Sequence, residues 1–321
     1  MRQRSASFLR YVAVRLAGLA MVMWLIATAV FILLRIIPGD PVRLIAGLDV
    51  VDPQVLQAMR TQMGLDRPVA EQYALWLGNI ARGNLGLSIR SRVPVSDLVS
   101  RALPVTLQLG MLGLIVGIVI SLPAGLFAAR ARGRPSDLFM TSGALVGLSV
   151  PSFVLALAAI YVFSVRLRLL PSFGYANIFE DPLGALRVMA MPAMTLGLVT
   201  GGRLVRLLRR SLIDELVEDY IRTARAKGAS ESRVFMGHAL HNALIPYVTA
   251  TGIEAGILLS GAVITENIFA IPGMGRLMVA NIYTRDYPVV QGAILIVAAV
   301  YVTINLVVDL IYGWLDPRIS V

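Results

Sequence analysis

The chain has 321 residues, of which 57% are hydrophobic and 15% are charged, whereas soluble domains are about half apolar and about a quarter charged, so an ordinary soluble protein is excluded. The absence of cysteine excludes disulfides, iron–sulfur clusters and thiolate zinc sites, and two histidines, His238 and His241, are too few for a usual catalytic zinc. The formal net charge of +10 indicates loops on the cytoplasmic face of a membrane rather than nucleic-acid binding.

The first predicted element is a membrane span at Leu16–Leu34, an uncharged stretch that follows four arginines. About 20 apolar residues of helix cross a bilayer core of about 30 Å. A secretory signal peptide has the same basic start, but Arg35-Ile36-Ile37-Pro38 stands here in place of a small-residue cleavage site. We therefore expect residues 1–35 to form a cytoplasmic tail and an uncleaved first span.

Residues 36–101 are predicted to form a small external lobe of helices. Turn signals divide the segment at Pro38-Gly39-Asp40-Pro41, Asp52-Pro53, Gly64-Leu65-Asp66-Arg67-Pro68 and Val93-Pro94. Helical composition between these turns predicts helices at Gln54–Met63 and Ala70–Arg82, with Asp52 and Asp66 as their N-caps. The segment is therefore expected to fold and not to act as a linker.

Residues 102–321 form a core with five more apolar stretches, which gives six predicted transmembrane helices in total. The five stretches are Ala102–Ala129, Leu138–Val165, Val188–Gly202, Ala243–Thr265 and Tyr287–Val308. The fourth span is the shortest, and Arg203 and Arg206 follow it at once, so we expect its helix to leave the membrane while still helical. Pro151 and Pro192 lie inside spans, where proline kinks helices.

The distribution of basic residues predicts that both termini are cytoplasmic. The N-terminal tail has four arginines, residues 130–134 have three and residues 203–233 have eight Lys or Arg, against five in the two short loops of the opposite side. Short loops rich in Lys and Arg stay in the cytoplasm. The 203–244 loop between the fourth and fifth spans is therefore cytoplasmic, and the 36–101 lobe is external.

The 203–244 loop is dense in mixed charges, and we expect it to fold into a compact knob at residues 222–241. Arg222–Gly228 places small residues on one helical face and basic residues on another, and Gly228 can end that helix in a left-handed cap. Ser230 and Glu231 can then start a second short helix that runs to His241 and Asn242. The alternative is a solvated loop whose charge only sets the topology.

The knob resembles the EAA loop of permease subunits of ABC importers. The matching residues are Arg222 to Gly228, His238-Ala239-Leu240 and Asn242-Ala243-Leu244-Ile245-Pro246. The general motif begins Glu-Ala-Ala, whereas Arg222, Thr223 and Ala224 stand here, a form typical of the dipeptide, oligopeptide and nickel branch. Motifs of the first permease of that branch follow in order along nearly the whole chain: Pro38-Gly39-Asp40-Pro41, Gly64-Leu65-Asp66, Gln72-Tyr73, Gly83-Asn84-Leu85-Gly86 with Ser88, Pro104-Val105-Thr106-Leu107, Glu266-Asn267-Ile268-Phe269, Pro272-Gly273-Met274-Gly275, Arg285-Asp286-Tyr287-Pro288 and Asp316-Pro317-Arg318.

The resemblance implies a type I ABC importer permease with the MetI-like fold, in a bacterial inner membrane. Its implied partners are a second, homologous permease, two ATP-binding subunits that hold ATP and magnesium, and an external solute-binding protein. Lys227 is the only lysine and is not in a Walker A pattern, so we expect this subunit to bind no ATP through a P-loop and to catalyse nothing. The resemblance assigns ATPase coupling to Arg222, Thr223, Ala224, Arg225, Ala226, Lys227, Gly228, Glu231 and His238. The cargo stays open among dipeptides, oligopeptides, glutathione, nickel chelates and haem.

Glu254 and Glu266 are candidates for the translocation path or a subunit interface. Glu254 lies near the middle of the fifth span, where an ionisable group is costly and usually faces a cavity or a partner. The alternative is a structural carboxyl in a helix contact, since Gly252 and Gly256 allow close packing. Glu266 marks the external end of the same span, and its alternative is an ordinary turn.

A stand-alone secondary transporter or channel is the alternative function. Such a protein predicts inverted repeats, paired broken spans and several charges inside the membrane. This sequence has one clear central charge, at Glu254, and no internal repeat. A membrane enzyme is a third alternative, but the spans contain no cluster of nucleophile and base.

Overall fold

The computed structural model describes residues 2–36, 52–62 and 64–315, and these residues form helices and no β-sheet. The helices are α1 (Arg2–Ile36), α2 (Pro53–Gln62), α3 (Val69–Ala81), α4 (Val95–Arg130), α5 (Pro135–Ser149), α6 (Ser152–Ala159), the π-helix π1 (Ile160–Arg166), α7 (Pro182–Glu215), α8 (Asp219–Ala226), α9 (Glu231–Arg233), the π-helix π2 (Val234–Ala239), α10 (Leu240–Ile268), α11 (Met274–Tyr283) and α12 (Tyr287–Leu315). The predicted all-α class is confirmed. The Pro38–Pro41 and Asp316–Arg318 motifs lie outside the described residues.

Among the described residues, five helices are long and apolar enough to cross a membrane. They cover Val14–Ile36, Val95–Arg130, Pro182–Glu215, Glu231–Leu259 and Tyr287–Asp309. The predicted span Leu138–Val165 is not one helix, because α5 and α6 part at Val150-Pro151. Proline has no N–H and moves the preceding residue out of the α conformation, so the helix breaks there. The count of six spans stays a prediction, with the segment from α5 to π1 as the remaining crossing.

The fourth predicted span is the first part of the long helix α7. The helix begins at Pro182, six residues before the predicted Val188, and Asp181 caps it by accepting a hydrogen bond from the Gly184 N–H at 2.9 Å. The predicted span began after Arg187 because the prediction counted only uncharged residues. One charged residue does not end a helix, so α7 begins earlier. The helix then continues through Arg203 to Glu215, so the predicted helical extension is confirmed.

The chain folds as two compact units, of which the second comprises Val105–Ile271 and the described residues from Tyr301 onward. Two apolar clusters lie along α7 and α10 in this unit. The first cluster includes Met189, Met191, Leu196, Leu258, Ala262 and Phe269, and the second includes Leu204, Leu208, Leu212, Ile221, Phe235, Ala243 and Tyr247. Helix α4 packs closely on α7, since a Cβ atom on Gly113 would lie 3.0 Å from Cβ of Leu196.

The first unit comprises the described residues up to Pro104 together with Pro272–Val300. Its helices α2 and α3 confirm the two helices predicted for the segment after the first span. Asp52 caps α2, since its Oδ1 accepts a hydrogen bond from the Gln54 N–H at 2.9 Å. The prediction that Asp66 caps α3 is wrong: Pro68 holds the N-cap position in an extended conformation, and no side chain bonds the first turn.

Helix α3 is held against α1 by an aromatic cluster. The rings of Phe31 on α1 and Tyr73 on α3 meet edge to face at 5.1 Å, and Trp76 lies 5.3 Å from Phe31. The hydroxyls of Thr28 and Tyr73 are 2.7 Å apart, within hydrogen-bond distance. Edge-to-face pairs of this kind contribute about 1 kcal/mol beyond their buried area.

Asp286, in the turn between α11 and α12, is a buried carboxylate that ties this turn to residues 88–90. It accepts hydrogen bonds from the Ser88 hydroxyl at 2.6 Å and from the backbone N–H groups of Ile89 and Arg90 at 3.1 and 3.2 Å. Two motifs of the sequence analysis, at residues 83–88 and 285–288, are therefore in direct contact. The bonds fix the loop that connects α3 to α4.

Candidate functional site

The predicted coupling residues begin on α8, which starts at Asp219, three residues before the predicted Arg222. Its end confirms the prediction for Gly228, whose φ is +84°. The Gly228 N–H donates to the carbonyl of Arg225 at 2.9 Å, and the Ala229 N–H donates to the carbonyl of Ala224 at 3.2 Å. This pair of bonds is a Schellman cap, which requires a left-handed residue at Gly228.

Helix α8 is amphipathic, and its apolar face is anchored in the second unit. Ile221 is fully buried in the cluster that also contains Leu208 and Leu212 of α7 and Phe235 of π2. Burial of one such side chain stabilises by about 2 kcal/mol. The guanidinium of Arg130 lies 5.5 Å from the centre of the Phe235 ring, so the end of α4 also contacts this cluster. The knob is therefore packed against α7 and the end of α4.

The second helix of the knob begins at Glu231 with Ser230 at its N-cap, as predicted, but its predicted end at His241 and Asn242 is wrong. It passes from α9 through π2 into α10 and continues to Ile268. No glycine cap follows Asn242, and a polar residue alone does not end a helix. His238 and His241 therefore lie on the same continuous helix as the fifth span.

The exposed surface of the knob carries basic side chains, most of which make only local contacts. Arg222 pairs with Asp219 at 3.0 Å, with both side chains largely exposed. Arg225 forms a bidentate ion pair, in which its Nε and Nη2 donate to the two carboxylate oxygens of Glu231 at 2.8 and 3.2 Å. This pairing raises the pKa of Arg225. The predicted residues Thr223, Ala226, Lys227, Gly228 and His238 are also exposed.

Tyr220 joins the two ends of the knob, a role that the sequence did not indicate. Its hydroxyl donates to the carboxylate of Glu215 at the end of α7, and it accepts a hydrogen bond from the Asn242 amide at 3.0 Å. Burial, and then the bond to Glu215, raise the pKa of Tyr220 to about 12. The hydroxyl therefore stays protonated, and both bonds persist at neutral pH.

Glu254 forms an ion pair with Arg203 between α7 and α10. Nη1 of Arg203 lies 3.2 and 3.1 Å from the two carboxylate oxygens of Glu254. The Glu254 side chain is 10% exposed and that of Arg203 is 42% exposed. The pair lies between the two apolar clusters of the second unit. Pairing with Arg203 explains how the central carboxylate of Glu254 is tolerated there.

Gly252 and Gly256 flank Glu254 and confirm the predicted close packing of helices. A Cβ atom on Gly256 would lie 3.0 Å from Cε2 of Tyr301, and one on Gly252 would overlap Val308. Both contacts are with α12. The fifth span therefore meets α7 through a charged pair and α12 through small residues.

Glu266 lies near the end of α10 and is fully buried. The Thr106 hydroxyl donates to its Oε1 at 2.5 Å, and both residues belong to motifs found in the sequence. The carboxylate therefore joins α10 to α4 inside the second unit. Its role in the path or at an interface stays a prediction.

Asp137 and Arg209 form a second ion pair, which the sequence analysis missed. Nε and Nη2 of Arg209 donate to the two oxygens of Asp137 at 2.6 and 2.7 Å, and the Gly133 N–H also donates to Asp137 at 3.1 Å. The hydrogen bond from Arg209 holds the pKa of the Asp137 carboxyl at about 2. The only signal in the sequence was a carboxylate directly after the basic 130–134 turn, and it does not point to a partner 72 residues away.

The described residues contain no group of three or more His, Asp or Glu side chains that could hold a metal ion. The arrangement offers instead an exposed knob that is packed on two spanning helices, together with two ion pairs beside those helices. Such an arrangement can bind a partner and transmit movement, but it brings no nucleophile and base together.

Comparisons with known proteins agree with this geometry. Residues 121–321 match the family described as the inner membrane component of binding-protein-dependent transport systems, and residues 8–110 match the N-terminal part of such membrane components. A protein of Brucella suis biovar 1 (strain 1330), named as a permease protein of a peptide transport system, is 42% identical over 95% of this chain and 97% of its own length. The glutathione transport system permease protein GsiC of Escherichia coli (strain K12) is 41% identical over 97% of this chain and 99% of its own length.

Solved structures agree in fold. A chain of the MetNI methionine ABC transporter in inward facing conformations matches with a TM-score of 0.57 and 19% identity, over 68% of this chain and 96% of that chain. A second crystal form of the same transporter matches with a TM-score of 0.56. The resemblance identified in the sequence is confirmed. The chain belongs to the family of inner membrane components of binding-protein-dependent transport systems, and it is a permease subunit of an ABC importer.

Proposed function

We propose that this chain forms half of the translocation path of an importer, paired with a second, homologous permease. Two separate ATP-binding subunits supply the energy, an external solute-binding protein delivers the cargo, and this subunit catalyses nothing. In this proposal six spans cross the bacterial inner membrane, both termini are cytoplasmic and residues 36–101 form the external lobe. The core from 102 to 321 carries the coupling loop at 203–244.

The proposed cargo is a peptide or a similar small solute. Two relatives support this choice, because one is named for peptide transport and the other for glutathione transport, and each covers nearly the whole chain. Glutathione is itself a small peptide. The common chemistry is a flexible solute with at least one carboxylate and one ammonium group.

The observation that carries the proposal is the anchoring of the knob. Its basic surface is exposed, while Ile221 on its opposite face is buried against α7. ATP-driven closure of the partner subunits would push on Arg222, Lys227 and His238. Because the knob is packed on α7 and is continuous with α10, the push would reach both spans as a rigid-body movement.

The Arg203–Glu254 pair is proposed to line the path or the interface with the second permease. A guanidinium that is 42% exposed within a spanning helix is costly against lipid, so it requires water or a protein partner. Glu254 orients the guanidinium of Arg203. The exposed part of that guanidinium can then form hydrogen bonds with water in the path or with the second permease.

Reconstitution tests the proposal. The chain, its partner permease, the ATP-binding subunits and the binding protein are placed together in liposomes, and uptake of a labelled dipeptide is measured with and without ATP. We expect uptake only with ATP and with all components. Full uptake by this chain alone, without nucleotide, would contradict the proposal and favour a secondary transporter or channel.

A further inference from the structure

A cavity of about 540 Å³ lies in the first unit beside the end of α1. Its walls come from α1, the end of α2, the turn before α3, α3 itself, the loop after α3 and the start of α12. Three arginines line it, Arg35, Arg67 and Arg92, together with the aromatic rings of Phe31, Trp76 and Tyr287. None of the described residues that line the cavity is acidic, so its electrostatic character is positive.

Two of the three arginines of the cavity, Arg35 and Arg67, are positioned by side-chain hydrogen bonds. The Arg35 guanidinium lies 3.4 Å from the centre of the Phe31 ring, and it donates to the neutral Gln72 side chain at 2.6 Å. Arg67 is partly neutralised, since it pairs with Glu71 at 2.8 Å. Arg92 lies on the loop fixed by Asp286 and has an exposed side chain. The cavity is therefore preformed, and its charge is available to an anion.

The position of the cavity indicates the source of that anion. The spanning part of α1 covers Val14–Ile36, so Arg35 lies in its last turn, where a span reaches the lipid headgroups. The same turns of α1 expose the apolar side chains of Ile32, Leu33 and Ile36. Aromatic rings at the end of a span are typical of the headgroup layer, and long basic side chains near the ends of spanning helices reach toward that layer.

We propose that this cavity binds the headgroup of an anionic phospholipid from the leaflet in which α1 ends. Arg35 and Arg92 bind the phosphate, and the acyl chains lie along the exposed apolar side of α1. A cavity of 540 Å³ is in the size range of small-molecule sites and accommodates a headgroup. The bound lipid holds α1 against α3 and the 87–92 loop, and it adds no step to transport.

Native mass spectrometry of the complete transporter in mixed micelles tests the site. We expect the wild type to retain phosphatidylglycerol in preference to phosphatidylcholine. Arg35→Gln and Arg92→Gln should each lower the retained phosphatidylglycerol about fivefold, the effect of one arginine near an anionic lipid surface. Added salt should lower retention by the wild type and narrow its difference from the two variants, because salt screens the electrostatic attraction.

Arg82→Gln is the matched control, since Arg82 is an exposed arginine of the same unit that does not line the cavity. We expect it to retain lipid like the wild type. Arg35→Lys keeps the charge and should retain lipid as well, which separates lost binding from lost folding. Equal retention of both lipids, or wild-type retention in Arg35→Gln and Arg92→Gln, would overturn the proposal. Displacement of the lipid by millimolar glycerol 3-phosphate would also overturn it, because the site would then take a soluble phosphate.

Discussion

The knob and the Asp137–Arg209 pair both place charges in the second unit, but they use those charges differently. The ion pairs of the knob join residues at most six positions apart and are exposed, so they contribute little to stability. The Asp137 side chain is 8% exposed, and its pair joins α5 to α7. The charges of Asp137 and Arg209 interact with each other and stabilise the contact between α5 and α7. The charges of the knob are exposed and can bind a partner. Variants should therefore separate transport from stability.

The largest effect is expected for Asp137→Asn, on stability. The substitution keeps the shape but removes the carboxylate from two charged hydrogen bonds, which should destabilise the chain by about 2 to 3 kcal/mol. Thermal unfolding of the purified transporter measures this change. The double variant Asp137→Arg/Arg209→Asp should recover part of the lost stability. An unchanged melting temperature in the single variant would contradict a stabilising role of the Asp137–Arg209 pair.

The same pair predicts a pH dependence. The pKa of Asp137 is about 2 in the fold, below its ordinary value of 3.8. A lowered pKa means that the stabilisation is present above pH 3.8 and is lost as the pH falls toward 2. The difference in melting temperature between wild type and Asp137→Asn should therefore be constant above about pH 5 and should shrink below pH 4. A constant difference down to pH 2 would contradict the assigned pKa.

Gly228→Val should cause the next largest effect, on transport. A left-handed conformation costs an ordinary residue about 1 to 2 kcal/mol, and no atom lies within 4 Å of the new Cβ, so only the cap is disturbed. We expect dipeptide uptake per ATP hydrolysed to fall about tenfold, while the backbone strain lowers the melting temperature by only a few degrees. The matched control is Gly133→Val, which introduces the same strain at φ +79° in the turn between α4 and α5. Equal uptake losses in the two variants would contradict a special role for the knob.

Glu254→Gln should have a smaller effect, of about 1 kcal/mol, because Arg203 is partly exposed and can be solvated. We expect uptake by the reconstituted transporter to fall severalfold. Arg206→Gln, at an exposed arginine one turn further along α7, is the control and should leave uptake unchanged. Wild-type uptake in Glu254→Gln would favour the structural role of the carboxylate.

The smallest effect is expected for Tyr220→Phe, which removes the hydrogen bonds to Glu215 and Asn242 but keeps the ring. Because the site is partly exposed, the loss should be about 0.5 to 1 kcal/mol. The melting temperature measures the loss of stability, and dipeptide uptake per ATP hydrolysed measures any effect on coupling. A fall in the melting temperature as large as that of Asp137→Asn would contradict this ranking, because the two hydrogen bonds of Tyr220 would then contribute as much to stability as the Asp137–Arg209 pair.

The features that the sequence predicted correctly depend on residues close together along the chain. The left-handed end of α8 follows from Gly228 and its near neighbours. The continuation of α7 through Arg203 follows from helical composition without a breaker. The close packing at Gly252 and Gly256 follows from small residues four positions apart. In each case the signal lies in residues within a few positions of the feature that it predicts.

The features that the sequence did not predict depend on residues far apart, or on competition between local signals. Glu254 was recognised as unusual, but its partner Arg203 is 51 positions away. Ser88 and Asp286 are separated by 198 positions, so only the fold brings them together. Asp66 does not cap α3 because Pro68, whose φ is fixed by its ring, holds the N-cap position. Hydropathy also gave no sign that Pro151 would divide a long apolar stretch into two helices.

The continuous helix from Glu231 to Ile268 gives the molecule a lever. At 1.5 Å per residue it is about 55 Å long, and His238 lies near one tip. If the helix moves as one body, as the proposed coupling requires, a small sideways displacement at that tip would turn it about the contact of Gly252 and Gly256 with α12. The far tip would then move in the opposite direction, so a push on one face of the membrane would become an opposite motion at the other face.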